Sequence, residues 1–325
     1  MPKPACALSV GESRLEKRDP EMKAELLKRH PENPILTHRD LPFLCNAIYN
    51  CGAAKLGDTY ILVPRVEDGR RDNHLHVARS ADGVHFTVNP EPIPFRPDPE
   101  ADVWEKHRYD PRVTLLEGWY YILYCAETAT GICRIGATRT RDFRQFDRLP
   151  FMTPPWNRNA ALFPEKIGGK YARLERPMGD GDSMTFVSYS PDLKHWGEHK
   201  PLHLKVETWL TFKWGIGPAP IKTEEGWLLI FHGVWRSCNG LVYRLGVCLL
   251  DGEDPSRVIA QCPEFIITPR EPYERCGDVP NCIFSNGAVV EPDGEVKVYY
   301  GACDTAICLA TTTLADLLAA CHGKL

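Results

Sequence analysis

Arg158, Arg176, Lys213 and His232 stand in or at the ends of short segments that are otherwise rich in apolar residues. A single arginine in such a place reads as a strand end that snorkels or pairs with a carboxylate. Burying one without a partner costs several kcal/mol. Cations at matching places in two consecutive segments point to a shared anion, and two guanidinium forks with an ammonium suit phosphate. The acid candidate is Asp110, in Tyr-Asp-Pro-Arg at 109–112, where Pro111 stiffens the backbone. Two plainer readings stay open: Asp before Pro commonly opens a turn, and Arg112 can pair with Asp110. The other strong carboxylate is Asp304, in Gly-Ala-Cys-Asp-Thr. Such a set supports acid catalysis beside a bound anion.

Residues this far apart in sequence need an architecture that converges them, and an internal repeat supplies one. Segments 50–65, 109–125, 157–177, 214–233 and 285–301 share a plan: a polar start, an apolar strand, a turn, then a second apolar strand with a polar end. Their turn glycines, Gly57, Gly118, Gly169, Gly226 and Gly294, are 61, 51, 57 and 68 residues apart. That spacing leaves room for four strands, the size of a propeller blade. A second motif, Ser/Thr-x-Asp-x-x-x-aromatic, recurs at 80–86, 140–146 and 190–196. It reads as an outer hairpin with an Asp turn and an aromatic anchor. The expected fold is all-β, a five-bladed propeller. Residues 1–30 form an N-terminal arm, and residues 31–325 a single catalytic domain that includes a C-terminal closing segment. Arg14–Arg29 and Thr313–His322 read as short peripheral elements that close the ring or meet another subunit.

In a propeller, polar residues at equivalent blade positions meet at the central channel. The first blade offers Asn50 and Arg65, the second Asp110 and Arg112, and the third Arg158, Asn159 and Arg176. The fourth offers Lys213 and His232, with Tyr243 soon after, and the fifth Asp304.

The 325 residues carry a formal net charge of −4 without a basic stripe or charge block, which excludes nucleic-acid and anionic-membrane binding as the expected role. No apolar run approaches the ~18 residues of a spanning helix, and Met1–Val10 does not read as a secretory signal. The 13 cysteines are odd in number and include no C-x-x-C pair, so reduced thiols in a cytoplasmic protein are expected. His74 and His76 lack a third ligand in view, and neither a metal nor an organic cofactor is implied.

With these residues in view, the chain resembles glycoside hydrolase family 130, the β-mannoside phosphorylases, from about His30 to Leu318. The resemblance is carried by Asn50 in YNCGAA, YDPR at 109–112, NRNAALFPEKI at 157–167, Arg176-Pro177 and GWLLIFHG at 226–233. It continues through SCNG at 237–240, PREPYE at 269–274 and YYGACDT at 299–305. It implies inverting phosphorolysis of a β-mannoside to α-mannose 1-phosphate. Asp110 would be the general acid, acting through the mannosyl 3-hydroxyl. Arg158, Asn159, Arg176, Lys213, His232 and Tyr243 would bind phosphate, while Asn50, Arg65 and Asp304, with Cys51 and Arg112 beside them, would contact the sugar. The residue types fit this chemistry. Inverting hydrolysis needs a second carboxylate to activate water, whereas phosphate is already an anionic nucleophile and needs a cationic cradle.

The chain departs from the family at Cys51, where many relatives carry Ser, at Met178–Phe186 and at Asn73-His74. The last two are expected to touch the acceptor. Asn157-Arg158-Asn159 favours β-1,4 linkage. The alternatives are a β-mannosidase on the same fold, a non-catalytic sugar-binding propeller and a furanosidase-type enzyme with three channel carboxylates. The expected partners are a β-mannosyl saccharide and phosphate, with a homo-oligomer open.

Overall fold

The computed structural model describes residues 25–179, 184–205 and 209–324. Of the N-terminal arm it covers residues from Glu25 onward, and residues 180–183 of the expected acceptor segment lie outside the described residues. Five antiparallel sheets form the ring, one per repeat. From the axis outward, blade one runs Ala47–Leu56, Thr59–Glu67, Ala78–Ser80 and Thr87–Val88, with Asn73–Leu75 also pairing the second strand. Blade two is His107–Leu116, Trp119–Glu127, Cys133–Thr140 and Asp147–Leu149. Blade three is Asn157–Leu162, Tyr171–Pro177, Thr185–Ser190 and Gly197–Leu202. Blade four is Lys213–Ile216, Gly226–Ser237, Gly240–Leu250 and Val258–Gln261, with Ile221–Thr223 on its second strand. Blade five is Ile283–Val290, Glu295–Ala302, Ala306–Thr313 and, as its outer strand, Lys28–Arg29.

The expected five-bladed propeller is therefore the observed fold. The five turn glycines all have positive φ, between 59° and 139°, where a side chain would be strained. The second strands read as unbroken apolar runs because each blade is buried on both faces. In blade one, Ile61 and Val63 face a core shared with Ile122 and Tyr124 of blade two, while Leu62 between them faces Tyr299 and Leu309 of blade five. The same alternation places Leu228 and Ile230 against Val296 and Val298, and Trp227, Leu229 and Phe231 against Leu174 and Val187. Leu123 and Ile135 meet Ala160 and Leu162 in the remaining interface. Burying each such side chain contributes roughly 1.5–3 kcal/mol, so the blades hold one another mainly by apolar contact.

The repeated Ser/Thr-x-Asp motif forms the turn before the outermost strand of blades one to three. Asp82 Oδ1 accepts from the amides of Val84 and His85 at 2.9 Å each. Asp142 and Asp192 repeat the arrangement. The aromatic that follows reaches the preceding blade: Phe86 packs edge-on against Tyr299 of blade five, with centroids 5.8 Å apart.

Arg29 closes the ring. Its guanidinium donates to both carboxylate oxygens of fully buried Glu274, at 2.8 and 2.9 Å, and to the Thr268 carbonyl at 2.7 Å. Thr313 caps a C-terminal helix, Leu314–Cys321, whose Leu317 enters the core between blades four and five. Among the described residues no helix is long and apolar enough to cross a membrane.

Arg112, expected at the sugar, serves the scaffold instead. It is 1% exposed and crosses the axis. Its Nε donates to Gly217 O at 2.7 Å, Nη2 to Ile216 O at 2.6 Å and Nη1 to Asp110 O at 2.9 Å. Each of its three nitrogens donates to a backbone carbonyl because the first strand of blade two turns the side chain away from the cavity. Replacing it by Met should leave buried acceptors unpaired, at about 1–3 kcal/mol for each. Urea unfolding of Arg112→Met should show a clearly lower midpoint with an unchanged slope; an unchanged midpoint would contradict this bracing role.

Candidate active site

The innermost strands do not run straight past the axis. Their register shifts at Tyr49/Gly52 in blade one, Tyr109/Arg112 in blade two, Asn157/Asn159 in blade three and Ser285/Gly287 in blade five. A bulge re-aims the side chain it carries, and the bulged positions hold Asn50, Asp110 and Arg158. Asn50 and Asp110 take left-handed backbone, with φ of 43° and 52°. Asn and Asp tolerate that region better than other non-glycine residues. Asp304 has φ 55° in the turn that follows Ala302.

These residues line a cavity of about 490 Å³, within the range of small-molecule sites. On one side Asp110 Oδ1 accepts from Asn50 Nδ2 at 3.0 Å and Arg65 Nη1 at 3.3 Å. Arg65 lies between the rings of Tyr49 and Tyr109, at 4.5 and 4.6 Å from their centroids, and donates from Nε to Asn73 Oδ1 at 2.6 Å. Asn50 fits because position 301 is glycine, where a Cβ would stand 2.1 Å from its side-chain oxygen. Burial pushes the Asp304 carboxyl up to about 6; Arg65 draws it down and Asp110 pushes it up further.

The opposite side is cationic. Arg158 Nη2 donates to Glu127 at 3.0 Å. The Asn159 amide is assigned with its oxygen toward Arg176, accepting from Nε and Nη2 at 3.1 Å each. Burial and then Arg158 lower the Arg176 guanidinium to about 10. Lys213 is lowered by burial and by both arginines. His232, tilted on Phe284 at 4.3 Å, is held well below the usual range by burial and by Arg176, Arg112 and Lys213, so it stays neutral. Gly215 leaves room here, since a Cβ would meet the His232 ring at 2.7 Å and the Asn159 side-chain amide at 3.0 Å. Burial raises the Tyr243 hydroxyl to about 12, which keeps it a donor. Arg176 and Lys213, both lowered by neighbouring positive charge, favour an anion beside them.

Asn50, Arg65, Asp110, Arg158, Asn159, Arg176, Lys213, His232, Tyr243 and Asp304 thus share one cavity. Cys51 does not join them. The bulge at Asn50 sends the next side chain the other way, into the core with Ile48 and Tyr299, where burial pushes its thiol far up. Asn73 lines the cavity and His74 does not. His76 stacks on Phe43 at 5.1 Å, and His74 faces Asp68 at 3.6 Å, so the two histidines make no common ligand pair. His232 is not a strand end: its strand continues to Ser237, and SCNG is the tip of a long hairpin.

Glu127 falls outside the sequence expectation, in which the blade-two segment ends at Cys125. The strand runs two residues further, and Glu127 pairs with His107 as Glu67 pairs with Ala47 in blade one. The equivalence with Glu67 was the available signal. Cys282 and Phe284, just before and on the first strand of blade five, also line the cavity.

The family profile described as β-1,4-mannooligosaccharide phosphorylase, glycoside hydrolase family 130, matches residues 46–322. The chain is 37% identical to a β-1,4-mannooligosaccharide phosphorylase of Ruminococcus albus over 306 residues, covering 90% of both chains. It is 34% identical to a 1,2-β-oligomannan phosphorylase of a Thermoanaerobacter species over 302 residues, covering 90% of this chain and 98% of the other. Among solved structures, β-1,2-mannobiose phosphorylase from Listeria innocua in complex with β-1,2-mannobiose superposes with a TM-score of 0.80 at 26% identity. That match covers 91% of this chain and 99% of the other.

The Asp304 shift predicts a pH effect. An acid whose folded value is raised favours the fold fully below its unfolded value, about 3.9, and that contribution is lost as pH rises through about 6. Asp304→Asn removes this loss. Its melting temperature should gain on wild type between about pH 4 and about pH 6. A constant difference across that window would show that Asp304 is not shifted upward.

Proposed function

This chain is a member of glycoside hydrolase family 130, and from that membership and the cavity we propose that it cleaves a β-1,4-mannoside with inorganic phosphate. The observation that carries the reading is the facing of one hydrogen-bonded carboxylate, Asp110, by the group Arg158, Asn159, Arg176, Lys213, His232 and Tyr243. Phosphate held among these donors attacks the anomeric carbon of the mannosyl unit from the face opposite the leaving group. The proton of Asp110 passes to the mannosyl 3-hydroxyl, and the proton of that hydroxyl passes to the glycosidic oxygen. The products are α-mannose 1-phosphate and the shortened saccharide. Neutral His232 and protonated Tyr243 each offer a hydrogen bond without a further charge. Asn50, Arg65 and Asp304 contact the sugar, and Arg65 and Asn50 fix the Asp110 carboxylate.

The cations support phosphorolysis over hydrolysis on the same fold, since water needs a base rather than a cradle. The chemistry requires no metal or organic cofactor. The free thiols of all twelve described cysteines support a reducing, cytoplasmic location. The family profile and the Ruminococcus albus relative support β-1,4 linkage.

Cleavage should require phosphate, and Asp110→Asn should fold normally while losing roughly 10²–10⁴-fold in turnover. Full-rate mannose release in phosphate-free buffer would sink the phosphorylase reading. A folded Asp110→Asn enzyme within a few-fold of wild type would remove Asp110 from the acid role. For the linkage, synthesis from α-mannose 1-phosphate on a panel of acceptors should give β-1,4 products by NMR. β-1,2 products would reassign it.

A further inference from the structure

Beneath Arg158 lies a group of soft ligands that the proposed reaction does not use. The second and third strands of blade two pair Glu127 with Cys133 and Cys125 with Ile135, which sets Cys125, Glu127 and Cys133 on one face. Their ligand atoms all lie within 4.8 Å of one another. Met178 Sδ stands 3.5 Å from Cys133 Sγ. We infer that Cys125, Cys133 and Glu127 bind one thiophilic divalent cation of the zinc class, and that its arrival withdraws Glu127 from Arg158.

Zinc–sulfur bonds of about 2.3 Å in a tetrahedron put ligand atoms roughly 3.5–4 Å apart, so small side-chain rotations close the site. Two thiols with a thioether at hand select zinc, cadmium or copper(I) over magnesium or calcium. Glu127 lines the cavity and gives the ion a way in, while both cysteines are buried just below it. The exchange balances: one M²⁺ enters as two thiol protons leave. Before it, Glu127 and Arg158 cancel; after it, two thiolates and one carboxylate offset the ion and Arg158. No C-x-x-C pair announces this site, because strand pairing rather than local spacing joins the cysteines.

The cost falls on the cradle. Glu127 now accepts from Arg158 at 3.0 Å and from the Tyr109 hydroxyl. Both contacts fall on Oε2, so a metal that takes this oxygen displaces them, and Arg158 then loses its contact with Glu127. This consequence, unlike the binding itself, rests on reading Arg158 as a phosphate residue.

The test uses the reduced, chelator-stripped full-length enzyme in phosphate-free buffer. Titration with Zn²⁺ against a chromophoric chelator should give one tight equivalent, and Cd²⁺ should give a thiolate-to-metal charge-transfer band. Cys125→Ser and Cys133→Ser should each abolish the band, and Glu127→Gln should weaken binding at least about tenfold. Cys238→Ser, at the exposed hairpin tip, should leave both unchanged. Circular dichroism identifies the folded variants, and either folded cysteine variant decides the matter. An equal band in wild type and that variant, or no tight equivalent in wild type, overturns the site. Zinc should also raise the KM for α-mannose 1-phosphate in wild type and not in the cysteine variant. Binding without that rise would keep the site and overturn its coupling to Arg158. Because the cadmium band does not depend on turnover, failure of the site is distinguishable from failure of the phosphorylase reading.

Discussion

Every blade of this protein is apolar on both faces, so no blade can bury itself alone. Ile61 and Val63 need blade two, and Leu62 in the same strand needs blade five. The alternation passes around the ring until blade five returns to blade one, and the ring is stable only when closed. That requirement accounts for the investment at the seam. Lys28–Arg29 comes from the far end of the chain to finish blade five, and Arg29 is locked by Glu274, which also accepts from the Tyr300 hydroxyl.

Closure in turn creates the site. Five innermost strands converge on the axis, and the bulges of blades one to three aim Asn50, Asp110 and Arg158 at a common space. Arg112 bridges the axis by spending its donors on carbonyls of blades two and four. This frame lets Arg158, Arg176 and Lys213 stand close despite their repulsion. Burial depresses Arg176 and Lys213, and the same burial keeps His232 neutral. Packing thus holds Arg176 and Lys213 close to positive charge, while Arg158 is paired with Glu127.

The carboxylates divide by environment. Asp110 sits between an amide and a guanidinium, whereas burial raises Asp304 and Arg65 only partly offsets it. Arg65 links them, stacked between two tyrosines and held at Nε by Asn73. A change at Asn73 would therefore reach Asp110 through one side chain.

The repeat of apolar strand pairs, the five turn glycines and the Ser/Thr-x-Asp turns were legible in the sequence because each is a local requirement. A positive φ needs glycine, an Asx turn needs its Asp, and a sheet buried on both faces needs an unbroken apolar run. The polar residues of the cavity were legible for a related reason: charges that interrupt such runs are expensive unless they meet partners. Direction was not legible. Asn50 and Cys51 are neighbours, yet the bulge aims one at the cavity and the other into the core. Asp110 and Arg112 share a motif, yet one faces the cavity while the other braces the axis. Glu127 and the Cys125–Cys133 pair depend on how far a strand extends and which residues its neighbour sets opposite. Strand register and bulges are decided by pairing across the sheet, so only the tertiary structure could assign these side chains to the cavity, the core or the layer between.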